Sequence, residues 1–162
     1  MKLGMMYRGA GVDLANVNKE ARTVDLTFSS EEPVVQAFGR EILSHDQGAV
    51  DLSRMKNGAP LLWNHNRNDQ RGVVEIAHIG NDKRGYATVR FSKSEVGELI
   101  FRDMEDGIIR WASVGYRVKD MVQTGGNKKN PEFTVTKWQP YEISLVSIPA
   151  NFTVGIRRSL CL

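Results

Sequence analysis

Three residues that can move a proton or attack a carbonyl stand beside apolar, strand-like runs in this sequence. His65 ends Leu61-Leu-Trp-Asn-His65, Ser113 lies within Trp111-Ala-Ser113-Val-Gly-Tyr116, and Glu142 heads Glu142-Ile-Ser-Leu-Val-Ser-Ile-Pro-Ala-Asn151. A serine hydroxyl is a weak nucleophile until a base takes its proton, and the base works best when a third group fixes its tautomer. Each residue also has a plain alternative. His65 could be a hydrogen-bonded strand-end histidine, Ser113 an ordinary strand serine between Ala112 and Val114, and Glu142 a solvated edge carboxylate. Ser144 and Ser147 compete with Ser113 on composition alone, and Asp69 competes with Glu142 as the group that orients His65. The Gly-x-Ser-x-Gly elbow is absent, which argues against an α/β-hydrolase. Residue chemistry therefore leaves a serine hydrolase open.

The elements that must hold these groups are mostly strands. Residues 1–20 lack a sustained period and read as a flexible lead-in. Thr23 to Ser29 alternates apolar and polar, the mark of a half-buried strand. Val34 to Phe38 and Glu41 to Leu43 read as strand around Gly39. Asp51 is placed to cap a short helix through Leu52 and Met55 that Gly58 stops. Pro60 to Trp63 leads to His65 and a polar loop, Asn66 to Arg71. Val73 to Ala77 and Tyr86 to Phe91 form a hairpin. Ser92 and Glu95 fit a capping box that opens a helix with Val96, Leu99, Ile100 and Met104 on its apolar face, ended by Gly107. Trp111 to Val122 is strand, residues 124–131 a flexible loop, and Phe133 to Lys137 and Tyr141 to Ile148 the last strands before Pro149. Many strands and two helices predict a mainly β, α+β domain built on an antiparallel sheet or barrel.

Composition narrows the class. The 162 residues fit one domain with an ordinary core, being 41% hydrophobic and 25% charged. Cys161 is the single cysteine, so no internal disulfide forms, which suits a reducing compartment. His45, His65 and His78 are scattered without zinc-ligand spacing, so no metal and no cofactor are expected. No apolar run approaches the roughly 20 residues of a membrane-spanning helix, and the first residues lack the apolar centre of a signal peptide. Met5 or Met6 is an alternative start after a short leader. The net charge of +3 is mild, with Lys128-Lys129 and Arg157-Arg158 as its basic pairs, a weak basis for nucleic-acid binding.

Taken together and in this order, the three segments resemble the prohead maturation proteases of tailed bacteriophages, distant relatives of the herpesvirus assemblin proteases. The family pattern is an apolar run ending in histidine, a Ser-Val-Gly-aromatic segment after a helix, and Glu-Ile-Ser-Leu-Val-Ser-x-Pro-Ala-Asn. Here these stand as Leu61 to His65, Ser113 to Tyr116 and Glu142 to Asn151. The resemblance runs from about Thr23 to Val154.

The resemblance implies a herpesvirus-protease-like antiparallel β-barrel at 21–156, followed by a short tail, 157–162. It implies a serine endopeptidase with Ser113 as nucleophile, His65 as base and Glu142 orienting the base. Relatives outside the phage branch use a second histidine in the third role; His78 precedes Ser113 and does not match that order. Gly115 and the loop from Asn151 to Gly155 are candidates for the oxyanion site. The implied substrates are the major capsid protein and its scaffold segment, inside a prohead assembling in the host cytoplasm. Self-cleavage and a homo-oligomer such as a dimer accompany that expectation. Two departures stand out: Asn66 follows His65 where the family often has aspartate, and the chain lacks the longer tail of many relatives. A trimmed form, a single domain and the protease part of a capsid fusion all fit that ending. The rival expectations are a non-catalytic scaffolding or capsid-associated module, and a small barrel that binds nucleic acid.

Overall fold

A computed structural model describes residues 3–149, with the side chains of 10–15 outside that description. Its nine strands are β1 (Met6–Asn18), β2 (Thr23–Ser30), β3 (Val34–Gln36), β4 (Gly39–Leu43), β5 (Pro60–Trp63), β6 (Asn66–Ile79), β7 (Arg84–Phe91), β8 (Trp111–Gly126) and β9 (Pro131–Val146). Two helices, α1 (Ser53–Lys56) and α2 (Glu95–Glu105), complete the described elements. The domain is thus mainly strand in one curled sheet, as the sequence predicts. No described helix is long and apolar enough to cross a membrane.

Strand pairing runs β9-β5-β6-β7-β2-β1-β8, and β8 pairs again with β9, which brings the order back to its start. The β3-β4 hairpin extends β9 beyond that ring. Most pairings are antiparallel, but β4 and β5 both run parallel to β9. The core fills the inside with Val24, Leu26, Phe28, Val89, Trp138 and Ile143, among others, and α2 adds Ile100, Phe101 and Met104. Alternation places Ala112, Val114 and Tyr116 of β8 among this core, so Ser113 and Gly115 belong to the opposite face.

Several elements differ from the sequence expectation. Residues 6–18, expected within a loose lead-in, form β1, which pairs with β8 from Met6↔Tyr116 to Gly11↔Trp111 and with β2 beyond. Residues 66–71, expected as a loop, begin β6. They form an exposed ribbon with β5, interrupted by two register shifts, where no buried face imposes alternation. Residues 131–146 form one strand through Pro140, which sits where the β8-β9 register shifts, a place where a missing N–H is tolerated. The expected loop at 124–131 narrows to 127–130, because residues 124–126 and Pro131 belong to the β8-β9 ladder.

Helix α2 starts later than the capping box suggests. Ser94 is the N-cap, and its hydroxyl accepts from the Gly97 N–H at 3.3 Å, while the Ser92 hydroxyl accepts from the Ser94 N–H at 3.0 Å. The buried face is Gly97, Ile100, Phe101 and Met104; Val96 and Leu99 are exposed. Asp51 does support α1, accepting from the Ser53 N–H at 3.0 Å.

Candidate active site

His65 is presented by a tight turn. Trp63 of β5 pairs with Asn66 of β6, leaving Asn64 and His65 as a two-residue connection with φ of 50° and 59°. Positive φ at both positions is what a type I′ hairpin requires, and asparagine and histidine tolerate it better than most residues. Parallel pairing then lays the turn against β9, through Leu62↔Ser144 and Trp63↔Leu145. The Asn64 N–H donates to the Leu145 carbonyl at 2.9 Å, and the Asn64 amide oxygen accepts from the Ser147 N–H at 3.2 Å.

Antiparallel pairing of β8 with β9 sets Ser113 opposite Ser144 and Gly115 opposite Glu142. The three sequence-predicted residues therefore meet. The Ser113 hydroxyl lies 2.8 Å from His65 Nε2, and His65 Nδ1 is hydrogen-bonded to Glu142 Oε1. In the tautomer this arrangement favours, Nδ1–H donates to the carboxylate and Nε2 accepts from the serine. Glu142 is buried, and Ser113 exposes only 1% of its surface.

Two further residues complete the arrangement. The Ser144 hydroxyl donates to Glu142 Oε2 at 2.9 Å and accepts from the His65 backbone N–H at 3.0 Å. It ties the carboxylate to the backbone of the turn and does not contact the imidazole, so it is not placed as the nucleophile. Gly115 leaves the space that Glu142 occupies: a Cβ there would lie 3.0 Å from the carboxyl carbon and nearer still to Oε1. Paired with both Tyr7 and Glu142, Gly115 sits inside the ladder. The other oxyanion candidates, Asn151 to Gly155, lie outside the described residues, as does the tail 157–162.

Tyr7 of β1 packs on the imidazole, with ring centroids 4.1 Å apart. Its neighbour Arg8 is buried in a network that sequence reasoning missed. Arg8 Nε donates to Glu41 Oε1 at 3.0 Å, and the Tyr116 hydroxyl donates to the same oxygen at 2.5 Å. Burial, then the Glu41 charge, hold the Tyr116 hydroxyl protonated far above the usual phenol range. The network joins β1, β4 and β8 beneath the site. Its signal in the sequence was a charged residue within the lead-in, which reads as solvated by default.

The remaining candidates are elsewhere. Asp69 pairs with Arg71 at 2.5 Å and makes no bond to His65. His78 stacks on Tyr86. His45 is buried, with Nε2 2.7 Å from the Ser29 hydroxyl and Nδ1 donating to the Leu43 carbonyl at 2.9 Å; burial lowers its pKa. Among the described residues no group of three or more His, Cys, Asp or Glu converges as a metal site.

The serine, histidine and glutamate in hydrogen-bonded sequence on this curled sheet are the residues that the resemblance to prohead proteases implies. The chain belongs to the caudovirus prohead serine protease family, whose model matches residues 20–160. It is 50% identical over 137 residues to the major capsid protein of Halomonas phage phiHAP-1, covering 83% of this chain and 23% of that protein. It is 26% identical over 105 residues to the capsid polyprotein of Pseudomonas phage PAJU2, covering 61% of this chain and 15% of that protein. The chain thus spans less than a quarter of either relative. The fold resembles the capsid assembly protease of bacteriophage T4, with a TM-score of 0.63 at 11% identity over 90% of this chain and 98% of that one.

Proposed function

We propose that this chain is a serine endopeptidase that cleaves scaffold and capsid-protein segments as a phage prohead matures. The observation that carries the reading is the unbroken line from the Ser113 hydroxyl through His65 to Glu142. In this mechanism His65 Nε2 takes the Ser113 proton as Oγ bonds to the scissile carbonyl carbon. The tetrahedral adduct collapses with expulsion of the amine, to which His65 returns the proton. Water then attacks the acyl-enzyme with His65 again as base, releasing the acid. Glu142 holds the Nδ1–H and stabilises the imidazolium formed during each attack.

The substrates are the major capsid protein and its scaffold segment, met inside the assembling shell in the host cytoplasm. The lengths of the two capsid relatives favour a polyprotein in which this domain is one part, with release by self-cleavage. A homo-oligomer, a dimer in its simplest form, completes the proposal.

A second reading, a capsid-associated module without turnover, is favoured by the name of the phiHAP-1 relative and by the covered state of Ser113. One experiment separates them. The chain, intact or as Ser113→Ala, is co-expressed with its capsid protein and the product masses are measured. Truncated products that appear only with the intact serine support the protease; identical masses in both arms establish the module.

A further inference from the structure

Beyond the reacting groups, the outer face of the barrel carries a cluster of cations around an aromatic ring. Arg117 follows Ser113 and Gly115 on the same face of β8, and four residues of strand put it roughly 13 Å from the serine. The β8-β9 register shifts between Gly115↔Glu142 and Tyr116↔Pro140, which leaves Tyr141 as the extra residue of β9, two positions after the Gln139 that pairs with Arg117. The Arg117 guanidinium lies 5.3 Å from the Tyr141 ring centroid, and that of Arg54, from α1, lies 4.1 Å from it. Both arginines are exposed, as is the nearby Lys119. None of the three forms an ion pair with a carboxylate among the described residues. Asp51 is the acidic neighbour, and its carboxylate is engaged by the Ser53 N–H and the Gln139 amide. The result is a pair of stacked guanidinium groups with free donors, adjoining the residue next to Glu142.

We propose that Arg54, Tyr141 and Arg117 form an exosite that docks an acidic segment of the protein substrate, away from the scissile bond. This rests on the protease reading above and adds the substrate feature that the site selects. Stacking on an aromatic ring fixes the planar orientation of a guanidinium, which then meets a carboxylate with two parallel hydrogen bonds. Single-stranded nucleic acid is the poorer fit. It needs open aromatic faces on which bases stack, and here guanidinium groups already lie over the Tyr141 ring.

The test separates docking from turnover. Ser113→Ala protein is titrated with a short fluorescent peptide containing several glutamates, and with the same peptide carrying glutamines, by anisotropy at low and high salt. The glutamate peptide should bind about tenfold tighter, with the gap closing in high salt. Replacing both arginines (Arg54→Gln with Arg117→Gln) should remove most of that gap, whereas Lys128→Gln with Lys129→Gln should leave it. In Ser113-intact protein the arginine pair variant should raise KM for an acidic substrate while a fluorophosphonate labels Ser113 at the parent rate. Equal binding of the two peptides, a gap that survives loss of both arginines, or tighter binding of an oligothymidylate of equal charge would each overturn the exosite. Because the binding arm needs no turnover, it stands or falls separately from the protease itself.

Discussion

Gly115→Ala, a substitution that adds one methyl group and touches no reacting atom, should disable the site. The new Cβ would lie 3.0 Å from the Glu142 carboxyl carbon and 3.2 Å from its Cγ, with Oε1 closer than either. Carbon contacts settle at about 3.5–4.0 Å, so the carboxylate must retreat by roughly 0.5–1 Å. β8 cannot yield instead, because Gly115 is held by Tyr7 on one side and Glu142 on the other. That retreat stretches the bond to His65 Nδ1 and the bond from Ser144. Misplacement by about 1 Å costs on the order of 100-fold in rate, and complete loss of the orienting carboxylate about 10,000-fold. The expected fall in kcat lies between these limits, with an overpacking cost of about 1–3 kcal/mol in stability. The assay is cleavage of the co-expressed capsid substrate, with Tm measured in parallel. Glu142→Asp in the Gly115→Ala background withdraws the carboxylate by one methylene and should recover part of the rate. A Gly115→Ala protein that cleaves within about threefold of the parent would refute the reasoning, because the space argument would then be wrong.

Other outcomes follow from the same geometry. Glu142→Gln keeps shape but loses charge, and turnover should drop by about 10,000-fold with little change in Tm, measured by cleavage kinetics and thermal melts. Ser144→Ala leaves the His65 N–H and Glu142 Oε2 without partners; stability should fall by about 1–3 kcal/mol in denaturant titration, and Ser144→Thr should restore part of it. An active-site serine reagent should add its mass to the peptide containing Ser113, and labelling of the peptide with Ser144 and Ser147 would refute the assignment. Burial lowers the His45 pKa in the folded state, so the unfolded chain takes up that proton first as the pH falls. Its contribution is complete above about pH 6.5 and is lost below it, at no more than about 1.4 kcal/mol per pH unit. His45→Asn should therefore flatten the acid side of the Tm profile.

Types and order of the central residues were legible in the sequence, but their meeting was not. His65, Ser113 and Glu142 stand beside apolar runs, but Ser144, Ser147 and Asp69 compete with them on composition, and the resemblance to the prohead proteases is what selects the three. Their contact depends on β9 lying parallel to β5 and antiparallel to β8, a long-range arrangement that local patterning does not encode. β1 escaped notice because strand propensity is read from alternating bulk, and Gly9 and Gly11 have none. The helix face was misread at Val96 and Leu99 for a related reason. Periodicity admits two overlapping stripes, and contact with β7 through Phe91 and Phe101 selects the one that buries Phe101. Ser144 looked like a rival nucleophile because composition cannot say which partner a hydroxyl faces.

The pairing of β1 with β8 also bears on when such a protein can first act. Gly9 is aligned with Ser113, 104 positions further along, and Leu61 with Ile143, 82 positions further along. Distant pairings of this kind must wait for the whole loop between them to be made and closed, and they form slowly. A ribosome that has emitted His65 and Ser113 has still not supplied Glu142, nor the strand against which the histidine turn is laid. Under the proposed mechanism, the domain is chemically silent until β9 has been made and paired. If the domain is carried on the polypeptide it cuts, as proposed above, that delay works as a timer set by sequence separation: segments made before β9 can leave the ribosome and begin to assemble before the catalytic unit exists.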